Sequence, residues 1–133
     1  MGESDFSVIF ENRKLVGNKE TNMSQAALSG KNYVVTGANS GIGLFSARHF
    51  AQLGANVALV CRSELRGREA VAEIIATTGN ENISLYLADF SSLASVSEMA
   101  DNLLRDIPKI NVLCNNAGGA NGSRTVTEEG FET

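Results

Sequence analysis

The apolar positions of this chain fall into two alternating kinds of run. Tyr33-Val34-Val35, Val57-Ala58-Leu59-Val60-Cys61, Ile83-Ser84-Leu85-Tyr86-Leu87-Ala88 and Ile110-Asn111-Val112-Leu113-Cys114 are short and largely apolar. Between them lie longer stretches in which apolar residues recur every three or four positions. The first kind predicts strands buried on both faces, and the second predicts amphipathic helices. In chain order the pattern predicts a strand over 32–36, a helix over 41–53, a strand over 56–61, a helix over 64–77 and a strand over 83–88. A third helix then ends at Pro108, and a fourth strand covers 110–114. The first helix is expected to turn Ile42, Phe45, Phe50 and Leu53 roughly to one side, and the second Val71, Ala72, Ile74 and Ile75. The third carries the clearest stripe: Leu93, Val96, Met99, Ala100, Leu103, Leu104 and Ile107. Gly54 and Gly79 stand where a left-handed residue closes a helix. Ser91 or Ser92 is expected to cap the third helix, and Pro108, the only proline, to stop it. Thr127-Glu128-Glu129 offers a further helix start.

Strand and helix alternation with apolar strands predicts an α/β fold, a doubly wound Rossmann-type parallel sheet covered on both faces. Right-handed crossovers order the four strands 3-2-1-4, with the sheet truncated after the fourth. The ligand crevice of such a sheet lies at the carboxyl ends of its strands. Residues 36–43, Cys61-Arg62, Ala88-Asp89 and Cys114-Asn115 all fall on that edge. Residues 1–28 are polar and mixed, and read as a poorly ordered extension ahead of a partial nucleotide-binding domain over 29–133. Met23-Ser24-Gln25-Ala26-Ala27-Leu28 could form a short helical turn, and Met23 is an alternative start to Met1.

Composition narrows the function classes. The chain has 133 residues, 43% apolar and 20% charged, an ordinary globular composition of about one domain. Its net charge of -4 argues against nucleic acid as a partner, because phosphate binding needs a basic face. Cys61 and Cys114 form no zinc set or disulfide framework and read as small buried hydrophobes in a reducing compartment. His49 has no metal partner at ligand spacing, so no metal is expected. No apolar run approaches the roughly 18–20 residues of a membrane span. Val8-Ile9-Phe10 is too short for a secretory signal, so a cytoplasmic chain is expected.

The chemistry centres on Thr36-Gly37-Ala38-Asn39-Ser40-Gly41-Ile42-Gly43, which sits where the first strand turns into the first helix. Gly37 permits a tight turn, Gly41 lets a pyrophosphate approach the backbone, and Gly43 lets helix pack on strand. The first helical amides lack internal partners, and the helix dipole favours an anion beside them. Arg62 closes the second strand, where a carboxylate would select NAD. A guanidinium there suits the 2′-phosphate of NADP, so NADP is expected over NAD. Glu64, two residues on, would blunt that preference if it reached the ribose. The Asp89 carboxylate can accept the adenine amino group's hydrogen bond while the Phe90 amide serves a ring nitrogen. Asp89 reads alternatively as a loop or helix-capping acid, and Arg62 as a solvated strand-end residue.

The glycine spacing and the run from Thr36 to Gly43 resemble the cofactor loop of the short-chain dehydrogenase/reductase family. Asn115-Asn116-Ala117-Gly118 matches that family's Asn-Asn-Ala-Gly motif, and Asp89 with an apolar neighbour matches a further position. The stretch from Thr125 to Glu132 is similar to the retinol-dehydrogenase-like branch. The resemblance covers about residues 28–133, the cofactor half of a family domain. It implies that Gly37, Asn39, Ser40, Gly41, Ile42, Gly43, Arg62, Asp89, Phe90, Asn116, Ala117 and Gly118 hold the dinucleotide. An Asn116 or Asn115 side chain would tie the fourth strand to its neighbours. It implies a parent oxidoreductase that moves a hydride between NADP(H) and a carbonyl or alcohol. Family catalysis uses an Asn, a Ser and a Tyr-x-x-x-Lys lying after the Asn-Asn-Ala-Gly motif; neither Tyr33 nor Tyr86 makes Tyr-x-x-x-Lys, so no catalytic residue is assigned and the chain alone is expected to be inactive. A non-catalytic nucleotide-binding module, or an interaction protein self-associating through its open sheet edge, stays open at this point.

Overall fold

The computed structural model describes residues 26–119 and 122–132. The expectations placed on residues 1–25, including the Met23 start, lie outside the described residues. The elements run β1 (Asn32–Thr36), α1 (Gly41–Gln52), β2 (Asn56–Cys61), α2 (Glu64–Thr78), β3 (Ile83–Leu87), α3 (Leu93–Asp106) and β4 (Val112–Cys114). The four strands form one sheet in the order β3-β2-β1-β4. All neighbouring pairs are parallel, with Val34 opposite both Ala58 and Leu113. This is the doubly wound order that right-handed crossovers require.

Successive residues of a strand point to opposite faces, so each apolar run feeds two layers of core. On one face Val35, Val57 and Leu59 meet Ala47 and Ala51 of α1 and Ala70 and Ile74 of α2. On the other, Val34, Ala58 and Val60 meet Leu103 of α3, with Met99 and Ile107 packed alongside. The central strands therefore need continuous apolar sequence, whereas the outer strands β3 and β4 keep partly exposed residues.

The helix faces differ from the pattern expected of large residues. The buried residues of α1 are Gly43, Ala47 and Ala51, while Ile42 and Phe45 are 78% and 64% exposed. Small residues at a spacing of four let the helix backbone lie close on the sheet, and that contact fixes the helix rotation. Phe50 stays partly buried, its ring 4.6 Å from that of Tyr33. In α2 the buried residues are Gly67, Ala70 and Ile74, and Ala72 is exposed. A Cβ at Gly67 would lie 2.6 Å from a Leu85 methyl and 2.7 Å from the Cys61 sulfur. Along α3 only Leu103 is fully buried, and Leu93 and Leu104 are exposed.

The punctuation behaves as expected at three ends. Gly54 has φ 90° beyond the α1 C-cap Leu53, Gly79 has φ 72° at the α2 C-cap, and Ser92 caps α3 by accepting the Ser95 N–H. Two expectations fail. The fourth strand begins at Val112 because the Asn32 N–H donates to Asn111 Oδ1 and the Asn32 amide to the Lys109 carbonyl, which occupies the groups a longer ladder would use. Residues 127–129 start no helix. The Gly130 N–H donates to the Thr127 carbonyl at 3.0 Å and the Thr127 N–H to that of Phe131 at 2.7 Å. Gly130, at φ 87°, turns the chain back so that Val126 bridges Glu132 antiparallel.

These two kinds of apolar position are separable by urea unfolding. Ile74→Ala, which empties a fully buried site, is expected to cost about 2–5 kcal/mol. Ile42→Ala is expected to change stability by no more than about 0.5 kcal/mol, and an equal loss at both would reject the observed rotation of α1.

Candidate functional site

The loop from β1 into α1 is built on two glycines with no room for a side chain. Gly37 has φ 64°, and a Cβ there would lie 2.9 Å from the Ala117 Cα. A Cβ at Gly43 would strike the Gly37 carbonyl and lie 2.6 Å from Asn116 Nδ2. The turn is held from below, where the Gly37 N–H donates to the Val60 carbonyl at 2.8 Å. Gly41 is different. It has φ 53°, yet nothing lies within 4 Å of where its Cβ would stand. The glycine answers the backbone angle, and the space in front of it is open.

That space lies at the N-terminus of α1. Ser40 is the N-cap in extended conformation, its side chain makes no capping bond, and the first turn holds no acidic residue. The first intrahelical bond is the Leu44 N–H to the Ser40 carbonyl. The amides of Gly41, Ile42 and Gly43 thus precede the helical ladder, and the dipole leaves a partial positive charge there. An anion fits this corner, and no side chain of the loop competes for it. Asn39 is half-buried beneath the turn, while Ser40 and Ile42 are exposed at its rim.

The motif after β4 is joined to this loop by the last residue of β1, which was not among those expected to hold the dinucleotide. Thr36 is 5% exposed. Its hydroxyl accepts the N–H groups of Asn116 and Ala117 at 3.0 and 2.9 Å and donates to the Cys114 carbonyl at 3.3 Å. The Asn116 side chain donates to the carbonyls of Thr36 and Gly37 at 3.1 and 3.4 Å. Asn116 is therefore the expected tie between strands, and its amide holds the glycine turn from the side. Ala117 and Gly118 follow as exposed residues. The available signal for Thr36 was a hydroxyl at the end of an otherwise apolar central strand.

Arg62 and Asp89 stand together at the ends of β2 and β3. They border a groove of about 450 Å³ between β3 and α3, which Tyr86, Glu98 and Met99 also line. Asp89 Oδ1 accepts both the Ser91 hydroxyl at 2.6 Å and the Ser91 N–H at 2.9 Å. The Ser91 hydroxyl and then its N–H hold the Asp89 carboxyl below the usual carboxylate range, and the Arg62 guanidinium adds a smaller lowering. Asp89 is thus a loop-capping acid through Oδ1, which leaves Oδ2 outside the Ser91 contacts. Phe90 is half exposed beside it. The Glu64 carboxylate takes two bonds from the Arg68 guanidinium through Oε1, at 2.9 and 2.7 Å.

The two tyrosines and Cys61 are each engaged by neighbouring groups. Tyr33 packs on Phe50. The Tyr86 hydroxyl meets Asp106 at 3.2 Å, and burial, then Asp106, pushes its pKa up. Burial also pushes up the Cys61 thiol, which points at the Ser63 carbonyl. Among the described residues no three His, Cys, Asp or Glu side chains converge as a metal site, and no helix is long and apolar enough to cross a membrane.

Comparison with known proteins decides the family. The family model described as short chain dehydrogenase matches residues 31–132. This chain belongs to the short-chain dehydrogenase family. It is 42% identical over 108 residues to the bovine (Bos taurus) dehydrogenase/reductase SDR family member 12, covering 81% of this chain and 34% of that protein. It is 40% identical over 106 residues to retinol dehydrogenase 12 of Mus musculus, covering 80% and 34%. The resemblance to the retinol-dehydrogenase-like branch is upheld, and the chain spans about a third of the length of these relatives. Among solved structures, L-sorbose reductase from Gluconobacter frateurii, complexed with NADPH and L-sorbose, superposes with a TM-score of 0.63 at 32% identity, over 78% of this chain and 38% of that one. A metagenomic short-chain oxidoreductase in complex with NADP gives a TM-score of 0.65 at 38% identity, over 70% and 41%.

The Thr36 hydroxyl gives this short-chain dehydrogenase site a test independent of any ligand. Thr36→Val keeps the shape but takes the partner from the Ala117 N–H, while the Asn116 N–H and the Cys114 carbonyl keep their bond to each other, and is expected to cost about 1–3 kcal/mol in denaturant unfolding. Thr36→Ser, which keeps the hydroxyl, is expected to lose clearly less; equal losses would mean that the methyl group, not the hydroxyl, matters there.

Proposed function

We propose that this chain supplies the NADP(H)-binding part of an oxidoreductase that moves a hydride between NADP(H) and a carbonyl or alcohol substrate. The observation that carries the reading is the open N-terminus of α1 at Gly41, with Arg62 and Asp89 on the same edge of the sheet. The Gly41 and Ile42 amides would hold the pyrophosphate, as helix N-termini hold anions generally. Arg62 would pair with the 2′-phosphate, a charge-assisted contact of about 1.5–3 kcal/mol. Glu64, the nearby carboxylate that would oppose that phosphate, is engaged by Arg68. Asp89 and the Phe90 amide would serve the adenine, and the Ala117 and Gly118 backbone the nicotinamide ribose. The NADPH and NADP named with two of the similar structures support this choice of cofactor.

When bound, the nicotinamide ring supplies the hydride chemistry. The residues of this chain bind and orient. Thr36 and Asn116 fix the glycine turn, and the turn fixes the amides. Tyr33 is packed in an aromatic pair and Tyr86 is bonded to Asp106, and neither is assigned a role in proton transfer.

Two substitutions test the reading by calorimetric titration with NADPH and NADH. Gly41→Asp places a carboxylate in the open corner, and aspartate tolerates the left-handed backbone better than most residues. NADPH affinity is expected to fall by about a hundredfold or more while the fold persists, since like charges brought together cost several kcal/mol. Unchanged affinity would remove the loop from the site. Arg62→Asp is expected to shift the NADPH/NADH affinity ratio toward NADH by about tenfold or more. A constant ratio would take Arg62 out of cofactor selection.

A further inference from the structure

The first turn of α3 is capped from two directions. Within the helix, the Ser92 hydroxyl accepts the Ser95 N–H at 3.2 Å. From outside, Glu129 Oε1 accepts the Leu93 N–H at 2.9 Å across 36 residues of sequence. The first turn of α3 holds no acidic residue of its own, so Glu129 brings the negative charge that the helix dipole favours there. The Leu93 N–H and then the Glu129 N–H hold that carboxyl below its usual range, and the Thr127 hydroxyl adds to this. Glu129 sits at the tip of the Val126–Glu132 bridge, closed by the Gly130 turn and by an Arg124–Glu132 ion pair at 3.3 Å. The carboxylate therefore reaches α3 from a small preformed hairpin.

The same turn of α3 holds the loop that carries Asp89 and Phe90. The Ser95 hydroxyl accepts the Asp89 N–H at 2.9 Å. The Ser92 N–H returns to the Asp89 carbonyl at 3.1 Å, and Ser91 binds Asp89 Oδ1 twice. We propose that Glu129 is a positioning residue of the cofactor site: by capping α3 it fixes the Asp89–Ser92 loop and so presets the groups that receive the adenine ring. The assignment rests on the cofactor reading above and adds a specific consequence to it. The segment after β4 acts on the adenosine half of the ligand, although the motif at residues 115–118 concerns the nicotinamide half. Preset groups lose less freedom when a ligand arrives, and the gain appears as affinity.

The test titrates 2′,5′-ADP, a probe of the adenosine half alone, into the intact wild type, Glu129→Ala and Glu129→Gln, at a temperature where all three are fully folded. Glu129→Ala is expected to weaken 2′,5′-ADP by about three- to tenfold, the scale of losing one charged helix cap. Glu129→Gln keeps an acceptor oxygen and is expected to recover most of that loss. Amide hydrogen exchange is expected to quicken at Leu93 and at Ser91 in the alanine variant. Faster exchange with unchanged 2′,5′-ADP affinity would make Glu129 merely structural and overturn the proposal, as would unchanged exchange at Leu93. A wild type that does not bind 2′,5′-ADP would overturn the cofactor reading itself, an outcome distinct from equal binding by wild type and variant.

Discussion

Everything at the carboxyl edge of this sheet depends on how closely the β1–α1 turn packs against the segment after β4. Gly37 and Gly43 leave no space for a Cβ between the turn, the Ala117 backbone and the Asn116 amide. Any larger residue would push the helix away from the strand and break the contact that sets its rotation. The approach brings several backbone polar groups together around the buried Thr36, where they need partners. Thr36 and Asn116 supply those partners. Steric closeness and polar satisfaction are thus a single constraint, which is why a threonine ends an apolar strand.

From that contact the rest of the site follows in order. The close approach aims the first turn of α1 at the open corner by Gly41. β2 and β3, in register with β1, bring Arg62 and Asp89 to the same edge. Helix α3, packed on the opposite face through Leu103 and Met99, holds the Asp89–Ser92 loop through Ser95. The β1–α1 turn and the Asp89–Ser92 loop are each held by their own set of bonds on the same edge of the sheet. The proposed recognition of a dinucleotide would use the backbone amides, one guanidinium and one carboxylate of this edge.

The two faces of the sheet are covered in different ways. The α1 and α2 side buries alanine and glycine of the helices, with Ile74, against Val35, Val57 and Leu59 of the sheet. The α3 side uses longer side chains, Met99, Leu103 and Ile107, and keeps the groove beside Tyr86. Leu93, Leu104 and Leu113 remain more than half exposed on the described surface. A stripe of large apolar residues marks a helix well, yet it does not identify the buried face when small residues set the approach distance.

The order of elements, the parallel sheet, the helix ends at Gly54, Gly79 and Ser92, and the strand ends that gather at one edge were all legible in local sequence. Period, capping and turn chemistry are local, and neighbouring residues are enough to express them. Local sequence also carried the family, because the glycine loop and the Asn-Asn-Ala-Gly motif are contiguous runs. The tertiary structure alone decided which way α1 faces, that Glu64 is held by Arg68, that Thr127–Phe131 forms a turn, and that Thr36 and Glu129 bond to residues 80 and 36 positions away. Those outcomes depend on distances between segments remote in sequence. A hydroxyl or carboxylate shows its partner only once the chain has folded around it.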